Sequence, residues 1–197
     1  MKFLDEFFND LTLSKSKEDL LNLFIKFNIN RRNRDKYPDL EINISLEEIK
    51  KLEENSIITN ENNLNVLLAK KTDLTTLEKL LYAVVWKNGD LIKIKHIISG
   101  IYGNAGTTGK VFNQFGRFLS NKDELIIDQH VLRAFIYFKD KEIIKNINNK
   151  HFDLFTNDYK NWIYKNDVYK NNKNIIDELL FEVGKKIKSN KGEKNRK

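Results

Sequence analysis

The chain has 197 residues, with 35 Lys and Arg against 28 Asp and Glu, a formal charge of +7 and no cysteine. That length suits one packed domain, and an apolar share of 40% buries enough surface to offset the entropy of ordering the chain. Without cysteine there is no disulfide, thiolate-bound metal, cysteine nucleophile or cysteine-ligated iron–sulfur cluster.

From the N-terminus onward, Met1 to Leu11 carries Asp5, Glu6 and Asp10 among its apolar residues, unlike the unbroken core of a signal peptide. No run of about eighteen apolar residues follows anywhere, so a cytoplasmic protein without a membrane span is expected. The apolar residues recur at spacings of three and four, as amphipathic helices require, which predicts an all-α, compact multi-helix fold. Helices are expected over 3–10, 16–28, 45–54, 75–87, 90–101, 109–119, 128–138, 157–165 and 173–188. Ser16 with Asp19, Ser45 with Glu48 and Thr75 with Glu78 each have the spacing of a capping box, in which side chains satisfy the unpaired amides of a first turn.

The stretch from Ile29 to Ile44 holds Arg31, Arg32, Arg34 and the single proline, Pro38, and lacks periodicity. It reads as a loop or extended crossing, and a short strand over Leu40 to Ile44 fits there. The Asn- and Lys-rich segments Lys145 to Asn149 and Tyr169 to Asn174 read as connections. With no internal repeat and no linker, residues 1–184 are expected to form one helical domain. Residues 185–197 are expected to form a basic flexible tail, with seven Lys or Arg and one Glu. Such an arm either meets a polyanion such as DNA or RNA, or is simply solvated.

Chemistry concentrates between Gly103 and His130. Tyr102-Gly103-Asn104-Ala105-Gly106-Thr107-Thr108-Gly109-Lys110 places three glycines in seven residues just before an apolar helix. Amides at a helix start are unpaired and carry the positive end of the helix dipole, so phosphate binding is chemically reasonable. A nucleotide-binding P-loop is disfavoured, because its glycines are spaced differently and a buried strand must precede it.

Eighteen positions after Lys110 comes Asp128, within Ile126-Ile127-Asp128-Gln129-His130-Val131-Leu132-Arg133. A glycine-rich hairpin ending in Lys, a helix, a short polar loop and an apolar pair followed by Asp-x-His-Val resembles the active-site signature of helix-hairpin-helix DNA glycosylases. The likeness runs from about Leu77 to Phe138 and is nearest to the bifunctional lyases, including 8-oxoguanine glycosylases. It implies that Gly106, Thr107, Thr108 and Gly109 form the hairpin that grips DNA phosphates. Lys110 would be the nucleophile, Asp128 the catalytic carboxylate, and His130 would lie beside the DNA backbone. The family hairpin runs Leu-Pro-Gly-Val-Gly, whereas here the second glycine adjoins the lysine.

The two residue types are useful together. A neutral lysine amine can attack C1′ of a damaged nucleoside, expel the base and form a Schiff base that permits β-elimination. A carboxylate near the sugar stabilises developing oxocarbenium charge and assists proton transfer. The target nucleotide must be flipped out of the duplex. The resemblance therefore implies a monomeric glycosylase with AP lyase activity on an oxidised base, of the 8-oxoguanine type, needing no cofactor and no metal.

Plainer roles stand beside these. Asp128 also suits the N-cap of the following helix, and Lys110 a solvated first-turn lysine. His96, on the run Ile94 to Ile98, reads as a packed or interfacial histidine, and His151 as part of a polar connection. Arg117 and Arg133 sit on apolar helices, where each would pair with a carboxylate or meet phosphate. Phe112, Phe115, Phe118, Phe135, Tyr137 and Phe138 are core residues by spacing, and Trp86 and Trp162 are candidates to stack on a flipped base. Arg31, Arg32 and Arg34 form a basic cluster that either touches DNA or lies in a solvated loop. Two readings of another class remain open: a non-catalytic DNA-binding module, as in a host-defence system, and a helical protein-interaction domain.

Overall fold

The structure, a computed structural model, describes residues 2–32, 40–55, 57, 75–104, 106 and 108–189. These residues are helical throughout their regular structure, and no strand occurs among them. In chain order the helices are α1 (Lys2–Leu13), α2 (Lys17–Lys26), α3 (Leu46–Glu54), α4 (Thr76–Lys87), α5 (Ile94–Ile101), α6 (Lys110–Ser120), α7 (Gln129–Asp140), α8 (Asn149–Tyr164), α9 (Asp167–Asn171) and α10 (Lys173–Ser189). A 3-10 turn, Leu91–Lys93, leads into α5. None of them is long and apolar enough to cross a membrane. The chain divides into two compact units, residues 1–40 with 125–197, and residues 41–124.

The first unit is organised around α7, in which every residue from Val131 to Tyr137 is buried. Helix α1 presents Leu4, Phe7, Phe8 and Leu11, the spacing that gathers side chains onto one helical face. Phe8 stacks on Tyr137 with ring centroids 6.0 Å apart. Helix α10 buries Ile176, Leu179, Leu180, Val183 and Ile187, and its backbone meets that of α7 at Gly184. A Cβ there would collide with the carbonyl of His130, so only glycine permits this approach. Trp162 lies against Phe135, Phe138 and Tyr169, with centroids 5.6, 5.1 and 4.8 Å away. It packs with the aromatic core and is half-buried.

In the second unit Ile49, Ile98 and Ile101 form a small core, covered by Ile44, Leu52, Ile94, Ile97 and Tyr102. Helices α5 and α6 pack backbone to backbone. A Cβ on Gly100 would strike the carbonyl of Asn113, and one on Gly116 the carbonyl of Ile97. The expected capping boxes at Ser45 with Glu48 and Thr75 with Glu78 are formed, and Ser16 caps α2 by accepting from the Asp19 amide. Trp86, on α4, is exposed.

Several expectations change. The backbone of Leu40 to Ile44 is irregular, and Ile44 donates singly to the Leu119 carbonyl at 3.0 Å instead of entering a strand. Helix α8 begins two turns earlier than its apolar pattern predicts. Asn148 accepts from the His151 amide at 3.2 Å, and His151 Nδ1 accepts from the Asn148 amide at 3.1 Å. His151 is therefore half of a capping box, not part of a loop. Tyr169 lies within α9, with its hydroxyl donating to the Leu11 carbonyl at 2.8 Å. Helix α10 continues to Ser189 with Ile187 buried, so Lys185 to Ser189 are helical and not tail. Residues 190–197, Arg34 and Pro38 lie outside the described residues.

Candidate active site

The turn between α5 and α6 is closed from its first residue. Gly103, at φ +75°, follows the last turn of α5; its amide donates to the Gly100 carbonyl at 2.9 Å and the Asn104 amide to the Ser99 carbonyl at 3.0 Å. Those two bonds make a Schellman ending, which needs a left-handed residue where Gly103 stands. Two side chains of α6 then hold the turn. Asn113, buried, donates from Nδ2 to the Asn104 carbonyl at 3.0 Å and to Ser99 Oγ at 3.3 Å. Arg117 donates from Nη2 to the Gly103 carbonyl at 3.0 Å.

At the far end of the turn Gly109 adopts φ +60° as the residue before α6. A Cβ at this position would enter the imidazole ring of His96, so Gly109 is required twice, by its dihedral and by the packing of that ring. This accounts for the glycine beside the lysine: it leaves room for His96, which is half-buried and titrates below the ordinary histidine range, first because of burial and then because of Lys95. Gly106 is also crowded, since a Cβ would stand 3.2 Å from the Thr108 carbonyl and 3.3 Å from Asn113 Nδ2. Thr108 is exposed, and Thr107 lies outside the described residues. Lys110 is the first residue of α6, and no side chain caps that helix start. Its first-turn amides therefore have no intrahelical acceptor.

Asp128 and His130 belong to the first unit. Asp128 is the N-cap of α7, with Oδ1 accepting from the amides of His130 at 2.6 Å and Val131 at 2.8 Å. Both bonds fall on one oxygen, so capping leaves Oδ2 for other chemistry. The structure thus gathers Gly106, Thr108, Gly109 and Lys110 at one turn of the second unit, and Asp128 with His130 at one helix start of the first.

Around Asp128 stand groups that the sequence did not mark. Asp177, on α10, is pushed up to about 7, by burial first and then by the charge of Asp128, against the opposing pull of Arg32. Its Oδ1 is buried without a hydrogen-bond partner, and its Oδ2 lies 3.4 Å from Arg32 Nη2. Tyr159 is driven well above the ordinary phenol range, by burial and then by Asp177 and Asp128. Glu178 receives Arg31 Nε on both oxygens at 3.1 Å and also accepts from the Arg32 amide. Arg31 and Arg32 therefore hold the loop against α10.

Arg117 and Arg133 also find other partners than expected. Each donates to main-chain carbonyls, where a carboxylate or a phosphate was anticipated. The signal for Asp177 was present but weak: an acid directly beside the apolar stripe Ile176, Leu179, Leu180 and Val183 must lie near the core boundary. Comparison with protein families, with characterised proteins and with solved structures gave no match to this chain.

Proposed function

We propose that this protein is a DNA glycosylase with AP lyase activity that removes an oxidised base, of the 8-oxoguanine type, from duplex DNA. The observation that carries the reading is the α5–α6 hairpin. Glycines at both ends and two α6 side chains fix its turn, and its last residue hands the chain directly to Lys110 at an uncapped helix start. A turn held at both ends and followed by helix-start amides that have no intrahelical acceptor suits DNA phosphates on either side of a flipped nucleotide.

In this chemistry the Lys110 amine attacks C1′ and the bond from C1′ to the base breaks. The base leaves with the bonding electrons and takes up a proton. The lysine nitrogen, having given up a proton, then expels O4′ from C1′, which opens the sugar ring as O4′ takes up a proton. The resulting protonated imine acidifies C2′, and loss of that proton expels the 3′ phosphate. Asp128 supports the step as the carboxylate that stabilises positive charge at the sugar, using the oxygen that capping does not engage. The protein would act as a monomer in the cytoplasm, where the genome is the substrate.

Borohydride trapping on duplexes carrying oxidised, alkylated or abasic sites tests the proposal. A covalent adduct is expected with the wild type and not with Lys110→Gln. Absence of an adduct on every duplex overturns the lysine mechanism, and salt-dependent binding without an adduct would identify a non-catalytic DNA-binding module instead.

A further inference from the structure

Arg133 is fully buried, and among the described residues no carboxylate forms a salt bridge with its guanidinium. Nε donates to the Ile144 carbonyl at 2.9 Å and Nη2 to the Lys145 carbonyl at 2.9 Å, so the loop after α7 fixes the plane of the group. Nη1 lies 2.8 Å from Nδ1 of His130 and 3.3 Å from the Gly184 carbonyl. A guanidinium has donors and no acceptor. At that separation Nδ1 must present its lone pair, because a proton there would point at the hydrogens of Arg133.

We propose that Arg133 is a positioning residue: by donating to Nδ1 it holds His130 in the tautomer that carries its one proton on Nε2, so that His130 meets a DNA phosphate as a fixed hydrogen-bond donor. The contact with phosphate rests on the glycosylase reading; the tautomer does not. Nε2 lies across the ring from the buried guanidinium, and His130 is half-buried, so part of the side chain reaches solvent. The carbonyl of Gly184 also favours a proton on His130; Arg133 Nη1 is nearer to Nδ1, at 2.8 Å, than to that carbonyl, at 3.3 Å, and so makes the stronger contact with the imidazole.

The groups facing the ring agree on balance. Burial acts most strongly and disfavours the imidazolium; Asp128 favours it, and Arg133 on the same helix and Lys188 on α10 oppose it. Phe181, also on α10, sets its ring edge-on to the imidazole with centroids 5.1 Å apart, which restricts the ring's orientation. The net direction is downward from the ordinary histidine value. A neutral donor keeps one polarity through neutral pH, whereas an ordinary histidine changes charge there.

The test uses nitrogen-labelled full-length protein, in which only three histidines contribute. Long-range proton–nitrogen correlation, with His130 assigned by its loss in His130→Gln, should show an unprotonated Nδ1 and a protonated Nε2 from about pH 8 down to below the ordinary value of about 6.5. A proton on Nδ1, or titration at the ordinary value, overturns the proposal. Arg133→Met, if it folds, should give mixed tautomers; an unchanged spectrum in a folded variant also overturns it. The wild-type spectrum decides the matter even where that variant does not fold.

Binding to a duplex with a stable abasic analogue supplies the second arm. His130→Phe should weaken it about tenfold, the size of one hydrogen bond to a charged group, and equally at pH 6 and pH 8. A loss confined to pH 6 would mean that the imidazolium binds, and overturns the proposal. Failure of the wild type to bind DNA with the Nε2 tautomer intact overturns the glycosylase reading and leaves the role of Arg133 standing.

Discussion

Gly109 and His96 occupy what would otherwise be the same space, for a Cβ on the glycine would fall within the imidazole ring. The left-handed backbone at φ +60° adds a second penalty for any side chain there. Gly109→Ala should therefore destabilise the protein by about 2–4 kcal/mol, combining a positive-φ cost with a steric clash. Urea unfolding of Gly109→Ala, His96→Ala and the double variant checks this. The double variant should recover the steric part and retain about 1 kcal/mol of backbone strain. Strict additivity of the two changes would show that the ring and the glycine do not meet.

The two roles of Asp128 can be separated. Asp128→Asn keeps a side-chain oxygen for the His130 and Val131 amides, so its melting temperature should stay close to that of the wild type. Asp128→Ala removes the cap and should cost about 1–2 kcal/mol. If the carboxylate acts at the sugar, both variants should lose base release by at least about a hundredfold, as expected when a transition-state charge stabiliser is removed. A single-turnover assay on oxidised duplex distinguishes this from capping alone, for which Asp128→Asn would remain active.

Asp177 should make stability depend on pH in an unusual direction for an acid. Its carboxyl holds a proton in the folded protein up to about 7, whereas an unfolded aspartate releases it near ~3.9. Between those values the folded state binds more protons, so this group's contribution to stability falls as pH rises. Asp177→Asn removes that dependence. Relative to wild type it should gain up to ~4 kcal/mol at pH 8 and little at pH 4. Denaturant titrations at the two pH values measure the difference, and an equal effect at both would contradict the shifted carboxyl.

The meeting of α7 and α10 at Gly184 yields a sharper structural prediction. Gly184→Ala places a methyl group against the His130 carbonyl and must force two buried helices apart. The expected loss is about 3 kcal/mol or more, beyond the usual penalty of overpacking, because the colliding atoms belong to backbone. The same displacement should disturb the Arg133–His130 contact, which shares Gly184. A variant with wild-type stability and an unchanged His130 spectrum would refute the close approach.

Much of the helical pattern was readable because it is local. The starts of α2, α3 and α4 follow from Ser16, Ser45 and Thr75, each bonded to an amide three residues onward. Helix α8 escaped because its cap is an Asn paired with a His, outside the common Ser or Thr with Glu pattern, and its first turns expose Lys150, Asp153 and Leu154. Helix α9 spans only five residues, too few to display a period.

The sequence alone determined the all-helical class, the glycine-rich turn that delivers Lys110, and the capping position of Asp128, because periodicity, dihedral preference and capping act over a few residues. Tertiary structure decided the rest. It brought His96 against Gly109, set Arg133 on His130 with the carbonyls of Ile144 and Lys145, and placed Asp177 within the field of Asp128. Burial and charge act through space, and their magnitude depends on which distant segments exclude water around each group.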